Sequence, residues 1–200
     1  MLEILLKGGP VIYLLILTSI IVCAIGIERL KFYGGAGNVN ENFISNLKEI
    51  LRKKDIAYGV ELCRREENIF GNVALAGIAA AVQGDNVEAA VNIAYDEAAM
   101  QLRARLNYLS MIVTLAPLLG LLGTIFGMID SFNIFSIQAG QPLAITGGIG
   151  EALIATATGL CVAIFALIVH TFLAQKLDEK LTELDKISAL VVGGFQNEKA

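Results

Sequence analysis

Glu151 stands immediately before 24 residues without a formal charge, Ala152 to Gln175, and Thr156 and Thr158 fall early in that run. A second uncharged run of 24 residues, Leu106 to Ile129, carries Thr114 and Thr124 and ends at Asp130. Carboxylates, hydroxyls and water relay protons. A carboxylate beside or within a lipid-crossing segment is costly unless water, a partner or a proton neutralises it. The chemistry these residue types offer is therefore proton transfer.

Each residue also has a plainer reading. A threonine in an apolar helix commonly bonds its own i−4 carbonyl and packs as a small side chain. Glu151 would mark the outer end of its segment, where the helix dipole favours an acid in the first turn. Asp130 reads as an interfacial residue, and His170, near the other end of its run, as a side chain that snorkels or hydrogen-bonds. Thr158 lies about 20° from Glu151 on the helical wheel and Thr156 about 140° away. Both threonines therefore cannot point with Glu151 straight into one narrow lumen.

Other chemistries find little footing. The apolar runs hold no nucleophile–base pair and no set of metal ligands, so an intramembrane enzyme is a weak reading and no cofactor or metal is expected. The three cysteines, Cys23, Cys63 and Cys161, form no CxxC pair. Their odd number, with two of them in apolar runs, argues against a disulfide framework and for small buried hydrophobes. No nucleotide-binding loop occurs, and no nucleic-acid partner is expected.

The elements that must position these residues are membrane helices. Hydrophobic residues make up 56% of the chain and charged residues 17%, with a mean hydropathy of +0.67, which is too apolar for a soluble domain of this length. At about 1.5 Å per residue each 24-residue run crosses a hydrocarbon core of about 30 Å as a helix. A third span is read at Val11–Ile27, with Pro10 in its first turn. Lys7 ahead of it and Ala24-Ile25-Gly26 within it also suit a signal peptide. Glu28-Arg29-Leu30-Lys31 reads more naturally as a membrane boundary, so the span is taken as retained. Basic residues cluster between Arg29 and Arg105 and after Lys176, while Ser131 to Gly150 has none. Positive residues stay cytoplasmic, which predicts an N-terminus outside and a C-terminus inside.

The expected fold is all-α, with three transmembrane helices and long cytoplasmic helical extensions. Its segments are 1–33 (first span), 34–107 (cytoplasmic helical region), 108–132 (second span), 133–146 (outer loop), 147–175 (third span) and 176–200 (cytoplasmic helix). Short cytoplasmic helices are predicted over Asn40–Lys54, Ile56–Glu66 and Asn72–Val82, the last bracketed by Gly71 and Gly84. From Asp85, capped by itself or by Asn86, one unbroken helix of roughly 65 Å is predicted to reach about Ile129. Gly120, Gly123 and Gly127 in the second span, and Ala155 and Gly159 in the third, form rows that let another helix approach closely. So much small-residue surface is taken to imply homo-oligomerisation.

The block LAPLLGLLGTIFGMIDSF (Leu115–Phe132) is followed after a short outer loop by GGIGEALIATATGLCVAIFALIVHTF (Gly147–Phe172), and Glu28-Arg29-Leu30 follows the first span. This pairing resembles the signature of the ExbB/TolQ/MotA proton-channel family. The flagellar stator branch has four spans and a longer chain, so the likeness is greater to ExbB and TolQ. The resemblance implies a homo-pentamer in the bacterial inner membrane, its second and third spans lining a pore. That pore would hold ExbD- or TolR-like single-span partners, each with a membrane aspartate that accepts protons, and the motor would act on a TonB- or TolA-like protein. Matched by motif, Thr124 and Thr156 take the places of the family's polar pore residues and Glu151 that of its third-span glutamate. Phe165 departs from the pattern, where a proline is common, and predicts a straighter third span. The function implied is that of an ExbB-like motor subunit driven by the proton gradient. A TolQ-type subunit serving envelope integrity and a passive scaffold or channel are the alternatives.

Overall fold

The computed structural model describes residues 9–37, 41–53, 55–66, 68–137 and 142–196, and among these every regular element is a helix. They are α1 (Gly9–Gly35), α2 (Glu41–Lys53), α3 (Ile56–Arg65), α4 (Ile69–Gln83), α5 (Val87–Arg103), α6 (Leu106–Ile137) and α7 (Pro142–Gln196). The chain divides into two compact units: Met1–Arg29 with Arg105–Leu173, and Leu30–Ala104 with Ala174–Ala200.

The first unit holds the apolar lengths of α1, α6 and α7. Their most apolar 18-residue windows have mean hydropathies of 2.6, 2.2 and 2.5, yet only 28%, 22% and 33% of those windows is buried within the chain. Leu17, Ile20, Leu118, Phe126, Leu153 and Ile168 all lie exposed. An apolar helix surface left open in this way matches a hydrocarbon surround, so the chain is a multi-pass membrane protein. Leu109, Ile112 and Ala116 on α6 and Ala152, Ala155, Ala166 and Leu173 on α7 are buried at steps of three, four or sums of these. That spacing is one helical face.

The second unit closes around Phe43, Leu47, Cys63, Phe70, Val73, Ile78, Val91, Leu184, Ile187 and Val191. Local signals set its helix ends. Asp55, Asn68 and Asn86 cap α3, α4 and α5, their side chains accepting from the amides of Tyr58, Gly71 and Ala89, groups with no partner inside the first turn. Helix α4 therefore starts at Ile69, earlier than the Gly71 bracket suggested. Gly71 lies inside the helix, at a place with no room for a side chain: a Cβ there would stand 2.7 Å from the Cys63 carbonyl oxygen. Gly84 does end α4, in the left-handed conformation at φ 76°. Lys180 is buried, its side chain 4% exposed and bonded to Glu183 at 3.1 Å. It also donates to the Gly37 carbonyl at 2.6 Å and stands 5.7 Å from the centre of the Phe70 ring.

The unbroken helix predicted from Asp85 to Ile129 is not present. Helix α5 ends at Arg103 and α6 begins at Leu106. Ala104 is extended at ψ 139°, and Arg105 takes φ 67°, a region that costs a side chain about 1 kcal/mol or more. Glu28 of α1 pairs with Arg105 and, at 2.8 Å, with Arg29. The break was hidden because helix periodicity and the absence of Gly and Pro describe local preference. The ion pair that holds Arg105 comes from 77 residues away.

Candidate functional site

Helices α6 and α7 run antiparallel in direct contact, and residue type explains how they come so close. A Cβ on Gly159 would lie 2.6 Å from the Ala116 carbonyl oxygen, and one on Gly120 would lie 3.1 Å from the Thr156 Cα. Gly123 and Gly127 instead face alanine methyls: a Cβ on each would lie 2.6 Å from the Ala155 Cβ and 3.0 Å from the Ala152 Cβ. Backbone meets backbone along this seam, which larger residues would hold apart. Both rows are thus occupied within one chain. They do not by themselves call for a second copy, as the sequence argument had supposed.

The hydroxyls divide into two kinds. Thr114 donates to the Met111 carbonyl at 2.9 Å, Thr124 to Leu121 at 2.6 Å and Thr158 to Ile154 at 2.8 Å. These are bonds to the preceding turn of the same helix. Thr156 instead crosses the seam and donates to the Gly120 carbonyl at 3.2 Å. Thr124 sits one turn beyond Gly120 on α6, on the stripe that Thr156 reaches.

Glu151 lies elsewhere on α7. The seam residues Ala152, Ala155 and Gly159 fall between it and Thr156 on the wheel, so the two flank the contact from opposite sides. Glu151 is exposed. Five full turns of about 3.6 residues place it above Val169, whose Cγ1 lies 3.2 Å from where a Cβ of Gly26 would stand. Glu151 therefore shares the side of α7 that α1 approaches, while Thr156 and the stripe bearing Thr124 occupy the side turned away from it. Asp130 is exposed on α6, and His170 is half-buried on α7.

Ser131, at the outer end of the predicted second span, was not singled out in the sequence reading. It is buried on α6 and donates to the Gly127 carbonyl at 2.7 Å. A Cβ on Gly148 would fall 2.0 Å from its oxygen. Its position four residues after Gly127 extends the small-residue row, and that spacing was the signal available.

The profile of the MotA/TolQ/ExbB proton channel family matches residues 65–186, which hold the whole seam and both flanking sites. The chain belongs to that family. It is 31% identical to the ExbB-like 1 biopolymer transport protein of Synechocystis, across 88% of this chain and 71% of that one. It is 35% identical to the biopolymer transport protein ExbB of Salmonella typhimurium, across 43% of this chain and 36% of that one. Against the Tol-Pal system protein TolQ of Pseudomonas aeruginosa the identity is 30%, across 72% and 58%. This MotA/TolQ/ExbB member is thus a subunit of a proton-channel family, not of a known enzyme family. The threonines and Glu151 all lie within the matched segment.

Proposed function

We propose that the chain is an ExbB-like subunit of an inner-membrane motor driven by the proton gradient. Five copies would surround ExbD-like single-span helices and energise a TonB-like protein for outer-membrane transport. The supporting observation is the arrangement of α6 and α7. Their seam fixes Thr124 and Thr156 on one shared side, away from α1, in a chain of a proton-channel family. That side would face the pore, with the hydroxyls and water carrying protons toward a carboxylate on the enclosed partner. Each proton moving inward gains about 2.3 kcal/mol per 100 mV of potential. Neutralising the partner's carboxylate would allow its helix to step relative to the ring.

The charge pattern supports an N-terminus in the periplasm, a periplasmic loop over 133–146 and cytoplasmic regions over 34–107 and 176–200. The second unit, built from α2–α5 with the ends of α1 and α7, would then brace the ring on the cytoplasmic side. A TolQ-type role is the second reading, because relatives of both names match the chain.

Proton flux into vesicles, measured with and without the single-span partner, tests the motor reading. Partner-dependent flux is expected. Glu151 stands across the seam from Thr124 and Thr156, so Glu151→Gln, which keeps the size of the side chain and removes its proton exchange, should lower flux only if protons also pass along the α1 side, with subunit and partner assembly intact. Thr124→Val should lower flux mildly, since water can bypass one hydroxyl. Full flux in both variants would refute the site, and equal flux without the partner would identify a passive channel.

A further inference from the structure

In the second unit α5 leaves two large apolar side chains exposed. Ile93 is 70% exposed and Met100 68%, and they lie seven residues apart on one stripe. The same helix buries Val91, Ala98 and Leu102 in the core, so this face is left over after α5 has packed. Asp96 and Glu97 are exposed beside it. Single exposed apolar residues are ordinary; here two large ones share a stripe with two carboxylates between them along the helix, which gives this face a mixed apolar and acidic character.

The same unit carries a cleft with complementary chemistry. Lys48, Leu51 and Arg52 of α2 and Ala189, Leu190, Gly193 and Gly194 of α7 line an open groove of about 540 Å³. Its lining has two bases and no acid among the described residues. The floor is apolar and open: Leu51 lies 3.1 Å from where a Cβ of Gly194 would stand, and nothing lies within 4 Å of one on Gly193. A protruding apolar side chain with carboxylates beside it fits that description.

We propose that this cleft receives the Ile93–Met100 face of α5 from a second copy of the chain. Asp96 and Glu97 of one copy would meet Lys48 and Arg52 of the next. The charges on the two surfaces are opposite, and both surfaces belong to every copy. The contact joins unlike faces, so it is heterologous, and such contacts close into rings when their rotation permits. The α6–α7 seam is spent within the chain, so a copy-to-copy contact in the second unit gives the oligomer a basis the glycine rows do not supply. This inference rests on the ring proposed above and names the surface that would join its members.

The test uses full-length protein in mild detergent, with Cys23, Cys63 and Cys161 replaced by Ala. Met100→Cys and Arg52→Cys placed in the same chain should give a ladder of linked subunits with a short bis-maleimide. Each change alone should give none. In the linked background Glu97→Lys should lower the yield roughly fivefold, the scale of an exposed charge contact. Adding Lys48→Glu to Glu97→Lys should restore it. A ladder from Met100→Cys alone would show a like-to-like contact and overturn the proposal. Absence of any ladder while native mass spectrometry finds a ring would also overturn it and leave the ring intact. A monomer by mass spectrometry would remove both readings together.

Discussion

The Thr156 hydroxyl donates to the Gly120 carbonyl across 3.2 Å, tying α7 to α6, whereas Thr114, Thr124 and Thr158 bond within their own helices. The group proposed above to relay protons is therefore also a group that holds the seam. The same oxygen can still accept from water, because a hydroxyl keeps acceptor lone pairs after donating. The two roles separate by substitution.

Thr156→Val removes the hydroxyl at nearly constant volume and should destabilise the α6–α7 pair by about 0.6–1.5 kcal/mol. Thr156→Ser restores the bond and the acceptor. If Thr156 only joins the helices, Val should lower the unfolding midpoint and reduce flux in proportion to the folded protein lost. If it relays protons, flux per folded subunit should fall in Val and recover in Ser. Denaturation in detergent, run beside vesicle flux, gives both readouts.

Gly159→Ala should part the seam. Its methyl would meet the Ala116 carbonyl at 2.6 Å and the Gly120 Cα at 2.9 Å, both backbone atoms that cannot swing aside. The expected cost is about 1–3 kcal/mol. Gly150→Ala is the matched control on the same helix, because nothing lies within 4 Å of its added methyl. Equal loss of thermal stability in the two variants would show that the seam is not formed as described.

Cys63 should be a poor nucleophile at ordinary pH. Burial, with a smaller contribution from the charge of Glu66, pushes its thiol up to about 11 from the usual 9.0. Only the thiolate reacts, so alkylation of the folded protein at pH 8 should run about a hundredfold slower than for the unfolded chain from ionisation alone. The folded state favours the protonated form. Its contribution to stability is therefore complete below the unfolded value near 9, and is lost as pH rises from there toward 11. Mass-spectrometric labelling between pH 7 and 10 checks this, and rapid modification of folded protein at pH 8 would contradict it.

Much of the second unit was visible along the chain. Asn40–Lys54 and Ile56–Glu66 bracketed α2 and α3 closely, because their apolar period is a local feature, as is the Asp55 cap of α3. The break at Arg105 was invisible for the opposite reason. Good helix formers continue through it, and the left-handed residue persists beside a Glu28 that no window around Arg105 contains.

The sequence alone determined that three apolar helices exist and that Gly and Ala rows would permit close approach. It also placed the hydroxyls and the carboxylate on those helices. Composition and period carry that information because hydrophobic burial and helix geometry act residue by residue. Only the tertiary structure decided what the rows pack against, which turned out to be each other within one chain. It likewise decided that Thr156 reaches Gly120 while Glu151 lies toward α1. Such choices depend on the register and relative rotation of two helices, and these are fixed by contacts between residues far apart in the chain, such as Thr156 and Gly120, 36 positions apart. A helical wheel orders the residues of one helix and cannot say which way that wheel faces.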